Sequence, residues 1–375
     1  MKNQSLYLWL VLYHLDELPN SRLALLASQF DSPEALIAAG DLLKASGLKT
    51  QQVHAITHSA DNAASGQKAE QAMAWLQASP HHHILPITDP CYPPLLRKIE
   101  DPPALLFVRG RLEALLQPQI AIVGSRRCSV DGTTNTRSFA QALAKQGFSI
   151  CSGMARGIDT AAHEAALDEG GTTVAVMGTG ADQCYPPQNK RLAQRLCEQG
   201  ALITELPLGS GAVSSHFPKR NRIISGMSLG VIVIEAALKS GSLITARMAI
   251  EQNRELFAVP GSIRNPLSAG GHQLIQQGAT LADSPQIVRA QLESLLDLQV
   301  EQLQRVPATS EVPDVDNPSD SMDERSLLAA MGFDPVSLEE LVNRLQWPLA
   351  QVQGLLLELE LNERIVKSGS HYVLS

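Results

Sequence analysis

The run Ile120-Ala121-Ile122-Val123-Gly124-Ser125-Arg126-Arg127 decides the fold: a short apolar strand stops at a glycine and gives way to a basic turn. The pattern recurs as Phe148-Ser149-Ile150-Cys151-Ser152-Gly153-Met154-Ala155-Arg156-Gly157-Ile158-Asp159. Further apolar strands are expected at Thr173–Met177, Ala201–Thr204, Leu229–Ile234 and Glu255–Val259, with roughly helix-length stretches between them. Wholly apolar strands alternating with helices specify an α/β core, a parallel sheet covered on both faces. Ligands of such sheets bind at the carboxyl ends of the strands. Both glycine turns fall on that edge.

Helix N-termini expose unpaired N–H groups and partial positive charge, so they attract anions. Arg126 and Arg127 beside such an end add like charge, which is unfavourable unless something negative sits there. Gly124, Ser125 and Arg126 would bring backbone N–H groups, a hydroxyl and a guanidinium onto one phosphate. Alone, that triplet reads equally as a strand-to-helix turn with surface arginines. Gly153 and Arg156 repeat the arrangement at the next strand end, where Asp159 is expected to cap the following helix. His163 reads as packed or exposed rather than catalytic. In Phe217-Pro218-Lys219-Arg220-Asn221-Arg222, one aromatic lies among three cations and an amide. Basic grooves with aromatic platforms are how single-stranded nucleic acid is held; a buried Phe beside a solvated charge run is the plain alternative. Lys239, Ser240 and Thr245 follow another glycine-serine turn and are expected in the same pocket. Glu235 faces it as the one candidate general base.

No G-x-G-x-x-G dinucleotide fingerprint and no G-x-x-x-x-G-K-[S/T] loop is present, and no Ser/His/Asp or Cys/His set assembles by spacing. No cofactor is implied. The 375 residues are 44% hydrophobic and 18% charged, ordinary for a globular protein, and only 4% aromatic. That scarcity makes a ring in a polar setting informative. The formal net charge of −8 hides a local reversal: Val213–Arg264 holds seven basic and three acidic side chains. Local charge governs steering. Much of the acidity lies in Glu311–Glu324. Five cysteines at no metal-binding spacing, with no secretory leader, fit a reducing cytoplasm. The longest apolar run, Leu6–Leu12, is too short to cross a membrane. His81-His82-His83 reads as an exposed linker turn rather than a metal site.

Residues 1–80 read as a small domain of short helices, of helix-hairpin-helix or sterile-alpha-motif type. Ser32-Pro33 is a helix start with proline at the first position. Residues 84–119 are extended and proline-rich, an edge strand plus connector. The core domain is placed at 81–299, an acidic proline-spaced linker at 300–321, and a final module at 322–375. There Ser321-x-x-Glu324 and Ser337-x-x-Glu340 are capping boxes. A third helix runs to about Leu361, and strands Arg364–Lys367 and His371–Leu374 complete a winged-helix pattern. The third helix has no Lys or Arg and carries Glu358 and Glu360, so a protein-contact or regulatory role fits it better than duplex reading.

Ile122-Val-Gly-Ser-Arg126, Ser152-Gly-Met-Ala-Arg-Gly-Ile-Asp159-Thr-Ala-Ala-His163, Gly178-Thr-Gly-Ala-Asp-Gln-Cys-Tyr185-Pro186-Pro187-x-Asn189 and Phe217-Pro-Lys-Arg-Asn-Arg222-Ile-Ile-Ser-Gly226 together resemble the bacterial DNA-processing protein A family, also called Smf. Tyr92-Pro-Pro-Leu-Leu, Pro103–Gly110, Glu235–Ala246 and Val259-Pro-Gly261-Ser match its other blocks, so the resemblance spans about residues 85–288. It implies an extended Rossmann-like domain that binds single-stranded DNA, forms a homodimer and has no enzymatic activity. It also implies help in loading the RecA recombinase onto incoming DNA during natural transformation. By position it would set Gly124, Ser125 and Arg126 on one phosphate, Lys219 and its neighbours on the backbone and Phe217 against a base. Together with the turns read above, the residues expected on DNA are Gly124, Ser125, Arg126, Gly153, Arg156, Phe217, Lys219, Arg220, Asn221, Arg222, Lys239, Ser240 and Thr245. The competing reading is a nucleotide sensor or phosphoribohydrolase-like enzyme on a similar core, although the proline-glycine-glycine motif of those enzymes is missing.

Overall fold

The computed structural model describes residues 2–30, 32–304, 327, 336–345, 347, 352, 355–356, 365–368 and 371–374. The apolar runs form one sheet from β1 (His82–Pro86), β2 (Leu105–Gly110), β3 (Gln119–Val123), β4 (Ser149–Ser152), β5 (Thr173–Val176), β6 (Ala201–Thr204), β7 (Gly230–Val233), β8 (Glu255–Ala258) and β9 (Thr280–Leu281). The nine strands lie in the order β1-β2-β6-β5-β4-β3-β7-β8-β9. From β6 to β9 all neighbours are parallel, and β2 is antiparallel to both β1 and β6. Side chains alternate between faces. Ile120 and Ile122 pack in one hydrophobic cluster with Phe139 and Leu143, whereas Ala121 and Val123 belong to the other with Ile223 and Ile224.

The lead-in differs from expectation. It supplies two strands, and β2 lies inside the sheet because Leu105, Leu106, Phe107 and Val108 are all fully buried. Of the histidine tract, His81 is an exposed turn residue as expected, whereas His82 and His83 belong to rim strand β1. The His82 ring stacks on Trp75 at 4.1 Å, and its Nδ1 lies 2.8 Å from the Trp75 carbonyl. No metal-binding cluster occurs among the described residues. All five cysteines are free.

Among the described residues, six α-helices precede the sheet: α1 (Lys2–Tyr13), α2 (Asn20–Ala27), α3 (Pro33–Ala38), α4 (Asp41–Ala45), α5 (Thr50–Thr57) and α6 (Ala63–Gln77). The Ser32 side chain caps α3 through the Ala35 N–H at 3.1 Å. These helices share one hydrophobic cluster with the sheet. Tyr13 and Trp75 both bring their rings to 6.0 Å from Phe107. The Tyr13 hydroxyl donates to the Glu205 carbonyl just beyond β6.

Around the sheet lie α7 (Pro94–Arg97), α8 (Glu113–Leu116), α9 (Val130–Lys145), α10 (Ile158–Asp168), α11 (Lys190–Gln199), α12 (His216–Met227), α13 (Ser242–Glu251), α14 (Ala269–Gln276) and α15 (Pro285–Gln304). Among the described residues no helix is long and apolar enough to cross a membrane.

The chain divides into two compact units, Met1–Pro307 and Ala308–Ser375. In the second, β10 (Val336–Ser337), β12 (His371–Leu374) and β11 (Ile365–Ser368) form an antiparallel sheet in that order, and α16 (Leu338–Leu345) follows β10. The Ser337 box forms: its hydroxyl accepts the Glu340 N–H at 3.2 Å, and its own N–H donates back to the Glu340 carboxylate at 3.1 Å. Leu327, Val336, Leu341, Val352 and Leu356 make its core. The Ser321 box and most of the third helix lie outside the described residues.

Candidate functional site

The parallel strands β5, β4, β3 and β7 end side by side, and their loops enclose a cleft of about 630 Å³. Its lining includes Gly124, Ser125, Arg126, Phe217, Arg220, Asn221, Ser240 and Thr245, eight of the residues expected at the site. Gly153, Arg156, Lys219, Arg222 and Lys239 are not part of that lining. Arg156 and Lys239 are nonetheless exposed on turns of the same edge, and Lys219 is exposed in the first turn of α12.

The turn after β3 is held rigidly. The Ser125 N–H donates to the Glu235 carbonyl at 2.8 Å, and the Ser125 carbonyl accepts the Ile158 N–H at 3.2 Å. A Cβ on Gly124 would lie 2.6 Å from Ile158, and one on Gly157, whose φ is +78°, would lie 2.4 Å from the Ser125 carbonyl. Only glycine satisfies both close approaches. The clamp leaves Arg126 exposed, with its guanidinium carbon 5.8 Å from the Phe217 ring centre. That is a cation–π distance.

The basic segment Phe217–Arg222 is the opening of α12, and helical phase separates its cations. Lys219 is exposed, while Arg220, four residues before Ile224, falls on the apolar stripe and is only 6% exposed. Its Nη1 donates to the Gly153 carbonyl at 2.6 Å and also to the Val176 carbonyl, joining the ends of β4 and β5. A Cβ on Gly153 would strike this guanidinium at 2.5 Å. Arg222 is likewise engaged: it pairs with both Glu205 oxygens at 2.6 Å and with Asp101 at 3.1 Å. Burial works against its charge, but the Glu205 and Asp101 partners prevail and hold its pKa above the ordinary value. The structure therefore gives Arg220, Arg222 and Gly153 inward roles, a departure from their expected place at the surface.

Beneath the cleft, burial lowers the Arg220 pKa to about 10, with Asp159 acting in opposition. Asp159 is buried and its pKa is raised by that burial, again with Arg220 opposing. It accepts the Ala155 N–H at 3.2 Å, bracing the preceding loop from the first turn of α10. His163 is fully buried, and burial followed by the Arg220 charge lowers it to about 3. Thr173 donates its hydroxyl to Ile150, so His163 Nδ1, 2.6 Å away, must be the donor in that pair.

Glu235 is not available as a base. Its carboxylate takes the Ser129 N–H at 2.9 Å, the Ser129 hydroxyl at 2.6 Å and Asn265 Nδ2 at 3.0 Å. It thus fills the N-terminus of α9 with negative charge from within the chain. The anion expected after Gly124-Ser125 would meet Arg126 and the neighbouring backbone rather than that helix end.

Sequence reasoning left Tyr185 out of the site. It lines the cleft, is 44% exposed and sits 5.5 Å from Phe217, centre to centre. Its signal was an aromatic before two prolines in a chain poor in aromatics. Among the described residues, Arg126, Arg127, Arg156, Lys219 and Lys239 form no ion pair. Cations left unpaired around a ring-walled cleft fit a polyanion with flat, stackable groups.

The family model for DNA recombination-mediator protein A matches residues 83–293, and that for the DprA winged helix domain matches residues 311–369. The chain is 43% identical over 305 residues to Protein Smf of Escherichia coli, covering 81% of this chain and 80% of that one. It is 49% identical over 207 residues to DNA processing protein DprA of Streptococcus pneumoniae, covering 55% and 73%. The solved structure of the Streptococcus pneumoniae protein superimposes with a TM-score of 0.57 at 38% identity, covering 73% of this chain and 98% of that one.

Proposed function

The chain belongs to the DNA recombination-mediator protein A family, and from that premise we propose that it binds single-stranded DNA along the carboxyl edge of its sheet. The observation that carries this reading is the cleft where exposed Arg126 lies over Phe217, with Tyr185 beside it and Lys219 exposed near the start of the same helix as Phe217. Stacking needs bases whose faces are free, which a duplex does not offer. Gly124, Ser125 and Arg126 hold one phosphate, and Lys219, Arg156 and Lys239 neutralise the backbone. Asn221, Ser240 and Thr245 supply polar contacts inside the cleft. Arg220, Arg222 and Gly153 brace it from below.

We read the protein as a binder rather than an enzyme: Glu235, the candidate base, is taken up as a helix cap, and Asp159, the carboxylate that lines the cleft, is buried opposite Arg220 and holds the Ala155 N–H. In the cytoplasm, a homodimer would protect incoming single strands and pass them to the RecA recombinase during transformation and recombination. The family's description as a recombination mediator supports that role. The competing nucleotide-sensor reading draws on the cleft volume, which would admit a mononucleotide.

Fluorescence anisotropy with labelled oligo-dT, a matching duplex and competing dTMP at two salt concentrations tests the proposal. Tight, salt-sensitive preference for the single strand, unaffected by millimolar dTMP, is expected. Equal binding of duplex, or displacement by dTMP, would overturn it. A RecA filament-assembly assay on the coated strand tests the handover, and light scattering on a sizing column tests the dimer.

A further inference from the structure

Tyr185 is the only exposed Tyr, Phe or Trp among the described residues, and nothing in the packing of the core requires it there. Its loop is braced at three points. The Gly180 N–H donates to Ser210 at 2.8 Å, the Asp182 carboxylate accepts the Gly209 N–H at 2.9 Å, and buried Asn189 donates to the Met154 carbonyl and the Thr160 hydroxyl, both at 2.9 Å. The Asn189 bridge ties the loop after β5 to the loop after β4. A ring presented by so constrained a loop loses little conformational freedom on binding. The Tyr185 and Phe217 planes are inclined at 42°, so the two rings form a step rather than a continuous stack.

Beyond that step, Lys190 and Arg191 open α11. Both are exposed, and neither makes an ion pair among the described residues. Positive charge in the first turn of a helix opposes its dipole, so helix stability does not explain them. Strand order sets the sequence of features along the edge. Lys190, Arg191 and Tyr185 follow β5, Arg156 follows β4, Arg126 and Arg127 follow β3, and Lys239 follows β7. The loops that carry these groups therefore leave the sheet in that order, from strands about 4.8 Å apart, an arrangement suited to an extended polyanion.

We infer that Tyr185 is a second base-stacking platform, and that the bound single strand runs from the Phe217–Arg126 cleft across Tyr185 to Lys190 and Arg191. This rests on the single-strand reading above and extends it by a direction and an exit.

The test is anisotropy with oligo-dT on the unaltered chain, Tyr185→Ala, Tyr185→Phe, and Lys190→Ala with Arg191→Ala, each across a salt series. Thermal melts confirm that each variant is folded. Tyr185→Ala is expected to weaken binding roughly 5- to 150-fold, the range for removing one stacked base, and Tyr185→Phe about two-fold or less. Removing Lys190 and Arg191 is expected to lessen the slope of log affinity against log salt by about 1.4, or ~0.7 for each phosphate no longer neutralised. Undiminished affinity in Tyr185→Ala, or an unchanged slope in the double variant, overturns the extension while leaving the cleft intact. No binding by the unaltered chain would instead defeat the single-strand reading, and the extension with it.

Discussion

Both carboxylate oxygens of Glu235, at the end of β7, are held by Ser129 at the start of α9, 106 residues earlier in the chain. This pairing fixes two of the loops that build the cleft. Glu235→Ala is expected to destabilise the protein by about 2 kcal/mol, since a charged hydrogen-bond partner and a helix cap disappear together. Urea denaturation measures it. A change below about 0.5 kcal/mol would show that the cap is not formed in solution.

Arg126→Ala combined with Lys219→Ala should weaken oligo-dT binding by about ten-fold or more and reduce the salt slope by about 1.4. Both side chains are exposed, so the melting temperature should scarcely move. Unimpaired binding would remove these two residues from the DNA-binding surface.

Arg220→Ala should behave in the opposite way, although it is the next residue in the chain. Its removal strands two strand-end carbonyls and leaves Asp159 without its buried counter-charge, at a cost of about 3 kcal/mol or more. Arg220→Lys should recover only part of that, because one ammonium does not reproduce the planar guanidinium between the two strand ends. Equilibrium unfolding of the three chains decides it, and wild-type stability in Arg220→Ala would refute the girder role.

Acid should weaken the fold through His163. Its ordinary pKa of 6.5 falls to about 3 in the folded chain. Its contribution is therefore full above pH 6.5 and is lost progressively as pH falls toward 3. The difference amounts to about 1.4 kcal/mol per pH unit, or about 2 kcal/mol at about pH 5. His14, lowered to about 4 by burial and then Lys68, has the same sign. The contrast with His163→Asn, which keeps a donor toward Thr173, isolates the buried ring. Parallel stability-versus-pH curves for the two chains would contradict this assignment.

Gly157→Ala should cost more than Gly147→Ala, although both glycines have positive φ. An added methyl at Gly147 meets nothing within 4 Å, whereas at Gly157 it strikes the Ser125 carbonyl. The expected losses are about 1 kcal/mol at Gly147, from backbone strain alone, and several at Gly157. The latter should also weaken DNA binding by displacing Arg126, which paired melts and anisotropy would reveal.

The sheet was legible because β3 to β8 are continuous apolar runs, and burial on both faces leaves little else for such runs to form. Less legible was which cation of Lys219-Arg220-Asn221-Arg222 faces water. The answer lay in helical phase: Ile223, Ile224 and Met227 continue an apolar stripe back to Arg220. The destination of Glu235 was hidden for another reason. Its burial could be read from the apolar run before it, but a partner more than a hundred residues away follows only from strand order. The lead-in was half legible: its expected edge strand is β1, but the stretch read as a connector holds Leu105–Val108, which contains no proline and enters the sheet interior.

The junction near residue 80 is a seam in the sequence but not in the hydrophobic interior, where Tyr13 and Trp75 flank Phe107. The helical segment is mortised to the sheet rather than hung beside it. A chain trimmed to the DNA-binding portion would carry a raw apolar wall along β2, and its usefulness would be limited by self-adhesion long before it was limited by affinity.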